Sequence, residues 1–119
     1  MGLYKKIFGN SGETIASTYL INHSFEIIQK NFRSKFGEID IIAEKNNCIY
    51  FIEVKTRSNL YKGMPYEAVN NHKIDRMYKT AYYFLMRNNY KDYRYSIGVI
   101  SIVKNEKETN IQFYENVTQ

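Results

Sequence analysis

Tryptophan is missing from this chain, and cysteine, proline and histidine nearly so: one, one and two residues among 119. A lone Cys48 closes no internal disulfide. It reads as a strand residue without redox work. His23 and His72 have no second His or Cys at ligand spacing, so both read as structural and no zinc site is expected. One proline, Pro65, and six glycines leave no room for a long linker. There is no repeat at a period of roughly 20–50 residues. No apolar run reaches the length of a membrane span. The start, Met1-Gly2-Leu3-Tyr4-Lys5-Lys6-Ile7, lacks the apolar core of a signal peptide. Lys6 stands where a myristoylation motif needs Ser or Thr. These absences leave one cytoplasmic domain, 1–119, expected to fold without staples or a membrane.

What is present is a globular composition, 44% hydrophobic and 24% charged. Seventeen Lys and Arg against 12 Asp and Glu give a net charge of +5. That excess points to an anionic partner, nucleic acid being the commonest, although many basic proteins bind none. Twelve tyrosines and seven phenylalanines either fill the core or, if exposed beside basic residues, stack on bases. Lys5 and Lys6 read as a mobile basic tail within reach of DNA.

Ile15, Ala16, Tyr19 and Leu20 make an apolar stripe that predicts a helix over residues 11–22. Asn10 is its expected N-cap, with Glu13 completing a capping box. Residues 24–33 read as a strand. Gly37 then breaks the chain. Two strong strands follow, Glu38 to Glu44 and Cys48 to Lys55, rich in β-branched and aromatic residues. The second is apolar on both faces until Glu53, as a covered central strand must be. A polar loop over 56–65 leads to a helix from Tyr66 to Asn88, with Val69, Met77, Ala81 and Leu85 on one face. Strands at Arg94 to Val103 and Thr109 to Tyr114 complete the order α-β-β-β-α-β-β. This is an α/β fold: a central mixed sheet with helices on both faces.

The central hairpin makes a geometric prediction. With Asn46 and Asn47 as turn residues, Lys45 pairs with Cys48, Ile42 with Phe51, Asp40 with Glu53, and Glu38 with Lys55. Side chains alternate along a strand, so Glu38, Asp40, Glu53 and Lys55 should share one face. Opposed carboxylates destabilise a sheet unless something compensates. Lys55 supplies one positive charge. A divalent cation with a taste for hard oxygen ligands, Mg2+ or Mn2+, supplies more. A plain salt-bridge ladder on a wet sheet face would explain the same charges, but the apolar run before Glu53 puts them at the rim of a core strand. Two acids holding a metal beside a lysine suit phosphodiester hydrolysis.

The run Gly37-Glu-Ile-Asp40, then Phe51-Ile-Glu-Val-Lys-Thr-Arg57, resembles the PD-(D/E)XK nuclease superfamily. More narrowly, the chain resembles its YraN-like bacterial family, similar in fold to archaeal Holliday-junction resolvases. The likeness covers nearly the whole chain. It takes in Gly12-Glu13, Asn31-Phe-Arg33, Gly63 with Pro65, Glu67-Ala-Val69, Lys73, and Arg94-Tyr95. The resemblance implies a restriction-endonuclease-like fold and a magnesium-dependent DNA endonuclease, one that cuts branched, junction-like DNA. It makes Asp40 and Glu53 metal-binding acids, Lys55 the catalytic lysine, and Glu13 a first-helix acid that helps hold metal. It places Lys73 as a polar helix residue facing the site. One departure stands out: Ser96 occupies a position where the family often has Asp.

At Glu13 two readings stay open, capping box and site acid. Glu38 is expected to pair with Lys55. Arg33, Arg57, Lys62 and Lys73 are the candidates for contacting phosphates, Arg57 first among them, and each of the first three also reads as a solvated charge. A junction cutter makes two symmetric incisions, so that activity implies a homodimer. The alternative is a DNA-binding protein of repair or recombination that keeps the nuclease fold without the reaction.

Overall fold

Three apolar strands between two amphipathic helices need cover on both faces, and they have it in the computed structural model. It describes residues 2–58, 69–90 and 92–118, with side chains from residue 12 onward. The elements are α1 (Gly2–Asn22), β1 (Glu26–Ser34), β2 (Gly37–Lys45), β3 (Cys48–Arg57), α2 (Asn71–Arg87), β4 (Arg94–Lys104) and β5 (Thr109–Tyr114). They build one α/β domain around a five-stranded sheet of order β1-β2-β3-β4-β5. β3 and β4 run parallel, joined through α2, and the other neighbouring pairs are antiparallel. The predicted element order therefore holds.

The β2–β3 turn is the expected one. Asn46 and Asn47 take φ of 52° and 61°, and Lys45 pairs with Cys48. Such paired left-handed residues match the twist of a two-residue hairpin. From that register, Ile49 and Phe51 pack with Ile39, Ile42, Ile97 and the α2 residues Met77, Ala81, Phe84 and Leu85. Ile52 and Val54 pack on the other face with Ile41, Ala43, Ile100, Ile102 and the α1 residues Ala16 and Leu20. Burying each such side chain stabilises by roughly 1.5–3 kcal/mol, which makes β3 the spine of both cores.

Both helix starts differ from expectation. α1 begins at Gly2, so Asn10 lies inside it and forms no N-cap, and the capping box at Glu13 does not exist. Leu, Lys and Ile upstream of Asn10 are good enough helix formers to carry the helix back past it. α2 begins at Asn71, behind Asn70, whose side chain accepts the Lys73 N–H at 3.0 Å. That cap competes with continued helix and fixes the boundary. The predicted first residues of this helix, Tyr66 to Ala68, lie outside the described residues, as does Lys62; Lys5 and Lys6 belong to α1 and not to the expected mobile tail, and their side chains lie outside the described residues. No described helix is long and apolar enough to cross a membrane.

After β5 the chain is strapped back over β4. The Val117 N–H donates to the Ile97 carbonyl at 2.9 Å, and the Ser96 hydroxyl donates to the Glu115 carbonyl. Gly98 makes room for this strap. A Cβ there would sit 2.9 Å from the Tyr114 carbonyl oxygen and 3.2 Å from that of Glu115. These are backbone atoms and cannot rotate away. Gly98→Ala is therefore expected to destabilise the fold by about 1–3 kcal/mol, read as a lower urea midpoint at unchanged slope. An unchanged midpoint would show that the strap yields freely.

Candidate active site

The site forms where the sheet stops being regular. Along β2, Ile42 packs toward α2 and Ile41 toward α1. Strict alternation would send Ile39 toward α1, yet it packs in the α2 cluster. The strand slips phase by one residue, and Asp40 lies at the slip. β1 follows at the same level: Lys30 pairs with Ile41, Phe32 with Ile39, and Asn31 between them takes φ of 54°. Asparagine tolerates that left-handed conformation better than most residues. The β2–β3 pairing runs from Lys45–Cys48 to Ile41–Ile52 and ends there. In place of the next ladder bond, Asp40 Oδ2 accepts the Val54 N–H at 2.8 Å. Its carboxylate thus lies in the fork between two parting strands.

Glu53 sits beside this fork on the α2 side, only 6% exposed. Two ammonium groups meet its Oε1: Lys73 Nζ at 2.7 Å and Lys55 Nζ at 3.2 Å. Lys73 comes from the first turn of α2, held in place by the Asn70 cap. Gly37, Glu38, Glu53, Lys73 and Arg76 line a small cavity of about 250 Å³. Asp40 opens instead into a larger cavity of about 890 Å³, with Glu13, Val54, Thr56 and Arg57 among its walls. The expectation that all four charged residues share one face needs correction at Asp40. The phase slip turns its carboxylate into the plane of the sheet, where it feels charges on both sides.

Those charges shift its titration. Burial first, then the neighbouring Glu53 charge, pushes the Asp40 carboxyl up to about 6, against the pull of the Val54 N–H; Glu13 and Glu38 add to the rise. Burial, and next the contact with Lys73, holds the Lys55 ammonium below the usual lysine range, although Glu53 pulls the other way. Burial works against the charge on Lys73 too, but hydrogen bonding to Glu53 and the field of nearby carboxylates raise it. Of the two lysines, Lys73 keeps its proton and Lys55 gives it up more readily.

The other expected residues fall as follows. Glu13, on α1, lines the larger cavity and accepts a hydrogen bond from Asn31 Nδ2 at 3.2 Å. Glu38 pairs with Arg33 at 3.0 Å, not with Lys55. The reason is the register: Glu38 faces Arg33 across β1–β2, while the β2–β3 ladder is already open at that level. This exposed pair adds little stability. Arg57 lines the larger cavity, donates from Nη1 to the Thr56 carbonyl, and buries Nε without a partner among the described residues. His23 stacks on Tyr19 with ring centroids 4.0 Å apart, a helix-end contact. Ser96 pairs with Tyr50, three residues before Glu53, and holds the C-terminal strap. Its difference from the family pattern therefore does not touch the fork. Sequence reasoning gave Asn31 and Arg76 no role at the site. An asparagine in mid-strand was the signal for the first, and the i+3 spacing from Lys73 for the second.

The donor chemistry suits a hard divalent cation. Asp40 and Glu53 offer carboxylate oxygens, and burial first, then the Glu53 charge, makes Asp40 costly to ionise without a cation. Among the described residues no three His, Cys, Asp or Glu side chains are gathered into a closed cage. Mg2+ is commonly held by one or two carboxylates, with waters and substrate phosphates completing its shell. The two acids suit it in kind, Asp40 facing the larger cavity and Glu53 the smaller.

A family model described as "Uncharacterised protein family UPF0102" matches residues 12–102. A UPF0102 protein of Campylobacter fetus is 41% identical over 118 residues, 99% of each chain. One from Caldanaerobacter subterraneus is 39% identical, covering 91% of this chain and 88% of the relative. A third, from Clostridium botulinum, is 40% identical over 96% and 95%.

The Asp40 shift has a stability consequence. The folded chain holds this proton up to pH about 6, while in the unfolded chain it leaves near 3.8. Between those values the folded state binds more protons, so this group's contribution to stability falls as pH rises and is lost above the folded pKa. Asp40→Asn keeps an acceptor for the Val54 N–H and removes the charge. It is expected to be more stable than the parent by about 1–2 kcal/mol at pH 8 and to lose that advantage by pH 4. Urea unfolding across the pH range reads this directly; a variant equally stable or weaker at pH 8 would contradict the assigned environment.

Proposed function

The chain belongs to the UPF0102, or YraN-like, family, and from that premise we propose that it is a metal-dependent endonuclease of PD-(D/E)XK type, hydrolysing DNA phosphodiester bonds. The observation that carries this reading is the fork: Asp40 held by the Val54 amide beside a buried Glu53 that two lysines share. A simple ion pair needs one lysine, yet Glu53 alone draws two. Here two acids and two lysines converge at a break in the sheet, beside open cavities, with Asp40 and both lysines shifted from their ordinary pKa values. Perturbed groups in a cleft are the mark of functional sites.

Asp40 and Glu53 would hold Mg2+ or Mn2+, with Glu13 behind Asp40 on the larger cavity. Bound there, such an ion polarises a phosphoryl oxygen and lowers the pKa of water. Lys55, whose proton is loosened, is suited to orient the attacking water or to meet charge developing on the phosphate. Lys73 keeps its charge and holds Glu53 in position. Arg57 offers a guanidinium to a neighbouring phosphate. None of this needs a serine, cysteine or histidine nucleophile. Cleavage of branched DNA and a dimeric enzyme belong to the same proposal.

Purified protein is expected to cut some member of a panel of branched, linear and single-stranded DNA with Mg2+ or Mn2+ present, and none with EDTA. Glu53→Gln and Lys55→Gln should each lower the rate by about a hundredfold or more while the chain stays folded and still binds DNA. Undiminished cutting by both variants would remove the assigned site. A calorimetric titration showing no specific Mg2+ binding would favour the non-catalytic DNA-binding alternative.

A further inference from the structure

The larger cavity has an acidic wall and a basic end. Glu13 and Asp40 form the wall; Arg57 and Lys104 form the end. Arg57 closes β3 and Lys104 closes β4, and the parallel register sets Arg57 beside Val103. Both cations therefore leave the sheet at one place. Val54, which holds Asp40, is three residues from Arg57 along β3, about 10 Å of strand.

Among the described residues, Arg57 has a donor group without an acceptor. Its Nε is buried with no hydrogen-bond partner, while Nη1 is spent on the Thr56 carbonyl. A buried donor left unmade is costly, and the guanidinium fork matches the oxygens of a phosphate. Lys104 stands on a rigid turn. Asn105 donates its N–H to the Glu108 carbonyl, and its Oδ1 accepts the N–H groups of Lys107 and Glu108. Gly12 brings α1 up against Thr56 on the opposite wall. The space between, about 890 Å³, falls within the usual range of small-ligand sites. A cube of that volume is about 10 Å on a side, too narrow to admit a whole duplex, whose major and minor grooves alone are roughly 12 and 6 Å wide.

We propose that this cavity is a subsite for an unpaired DNA strand, whose backbone phosphate lies on Arg57 and Lys104 while the next stretch runs past Asp40. This rests on the nuclease reading and narrows its substrate to DNA that offers a single strand at the fork: a flap, a splayed arm or an open end. Glu106, on the same turn as Lys104, also lines the cavity and opposes the strand.

The test is fluorescence anisotropy in EDTA, where cleavage plays no part, with a labelled oligothymidine and a blunt duplex of equal length. The single strand is expected to bind about tenfold tighter than the duplex. Lys104→Gln should weaken single-strand binding several-fold and reduce the salt dependence by about one unit of slope. Arg57→Lys, which keeps the charge and loses the fork, should weaken it too, and Glu106→Gln should tighten it. Lys104 and Glu106 are exposed, so their variants report even if Arg57 proves necessary for folding. Equal affinity for strand and duplex, or strand binding unmoved by both Arg57→Lys and Lys104→Gln, overturns the subsite. Selective strand binding without cleavage under any metal keeps the subsite and removes the nuclease. Cleavage with strand binding indifferent to these side chains does the reverse.

Discussion

One hydrogen bond organises the functional end of this molecule, from the Val54 amide to the Asp40 carboxylate. In an unbroken sheet that amide would bond a backbone carbonyl. Here a side chain takes the place, and two strands are free to part without leaving a buried donor unsatisfied. Everything at the fork follows from that exchange. The phase slip in β2 needs a matching slip in β1, which the left-handed Asn31 provides. Asn31 in turn holds Glu13 of α1. The end of the β2–β3 ladder thus ties the first helix, three strands and the cavity between them.

The cost of the arrangement is electrostatic. Buried acids side by side repel, and two lysines offset the repulsion only in part. Both ammonium groups go to Glu53, while burial, with the Glu53 charge second, pushes the Asp40 carboxyl up to about 6. A protein selected for stability alone would replace this cluster with apolar residues, as both cores do one strand-turn away. Unrelieved negative charge at an opening is where a cation gains most by arriving.

Much of this was legible in the residues, for identifiable reasons. Asn46-Asn47 fixes a two-residue turn, and the turn fixes the register up to Ile41 and Ile52. The double-faced apolar run of β3 marks a strand covered by helices on both sides. Asp40, Glu53 and Lys55 stood out because charges interrupt those runs. What alternation could not show was its own failure at Asp40. Period-two reasoning assumes an unbroken pleat, and the slip depends on a backbone bond to a side chain, which has no signature of its own. The misplaced Glu38 pair has the same cause. The missed α1 start came from trusting a polar residue at Asn10 as a boundary when its neighbours favour helix on both sides.

The parallel pairing of β3 with β4 has a kinetic side. β1, β2 and β3 form a meander whose partners are close in the chain, so each hairpin closes a short loop. β4 reaches β3 only after the chain has passed through α2 and returned, and the loop-closure cost gathers on that step. The parted strands at the fork lie within the meander, with Glu13 of α1 beside them; Lys73 joins from α2. Those strands can find their register before the slow crossover is complete, and β4 then arrives to bury a spine already in order.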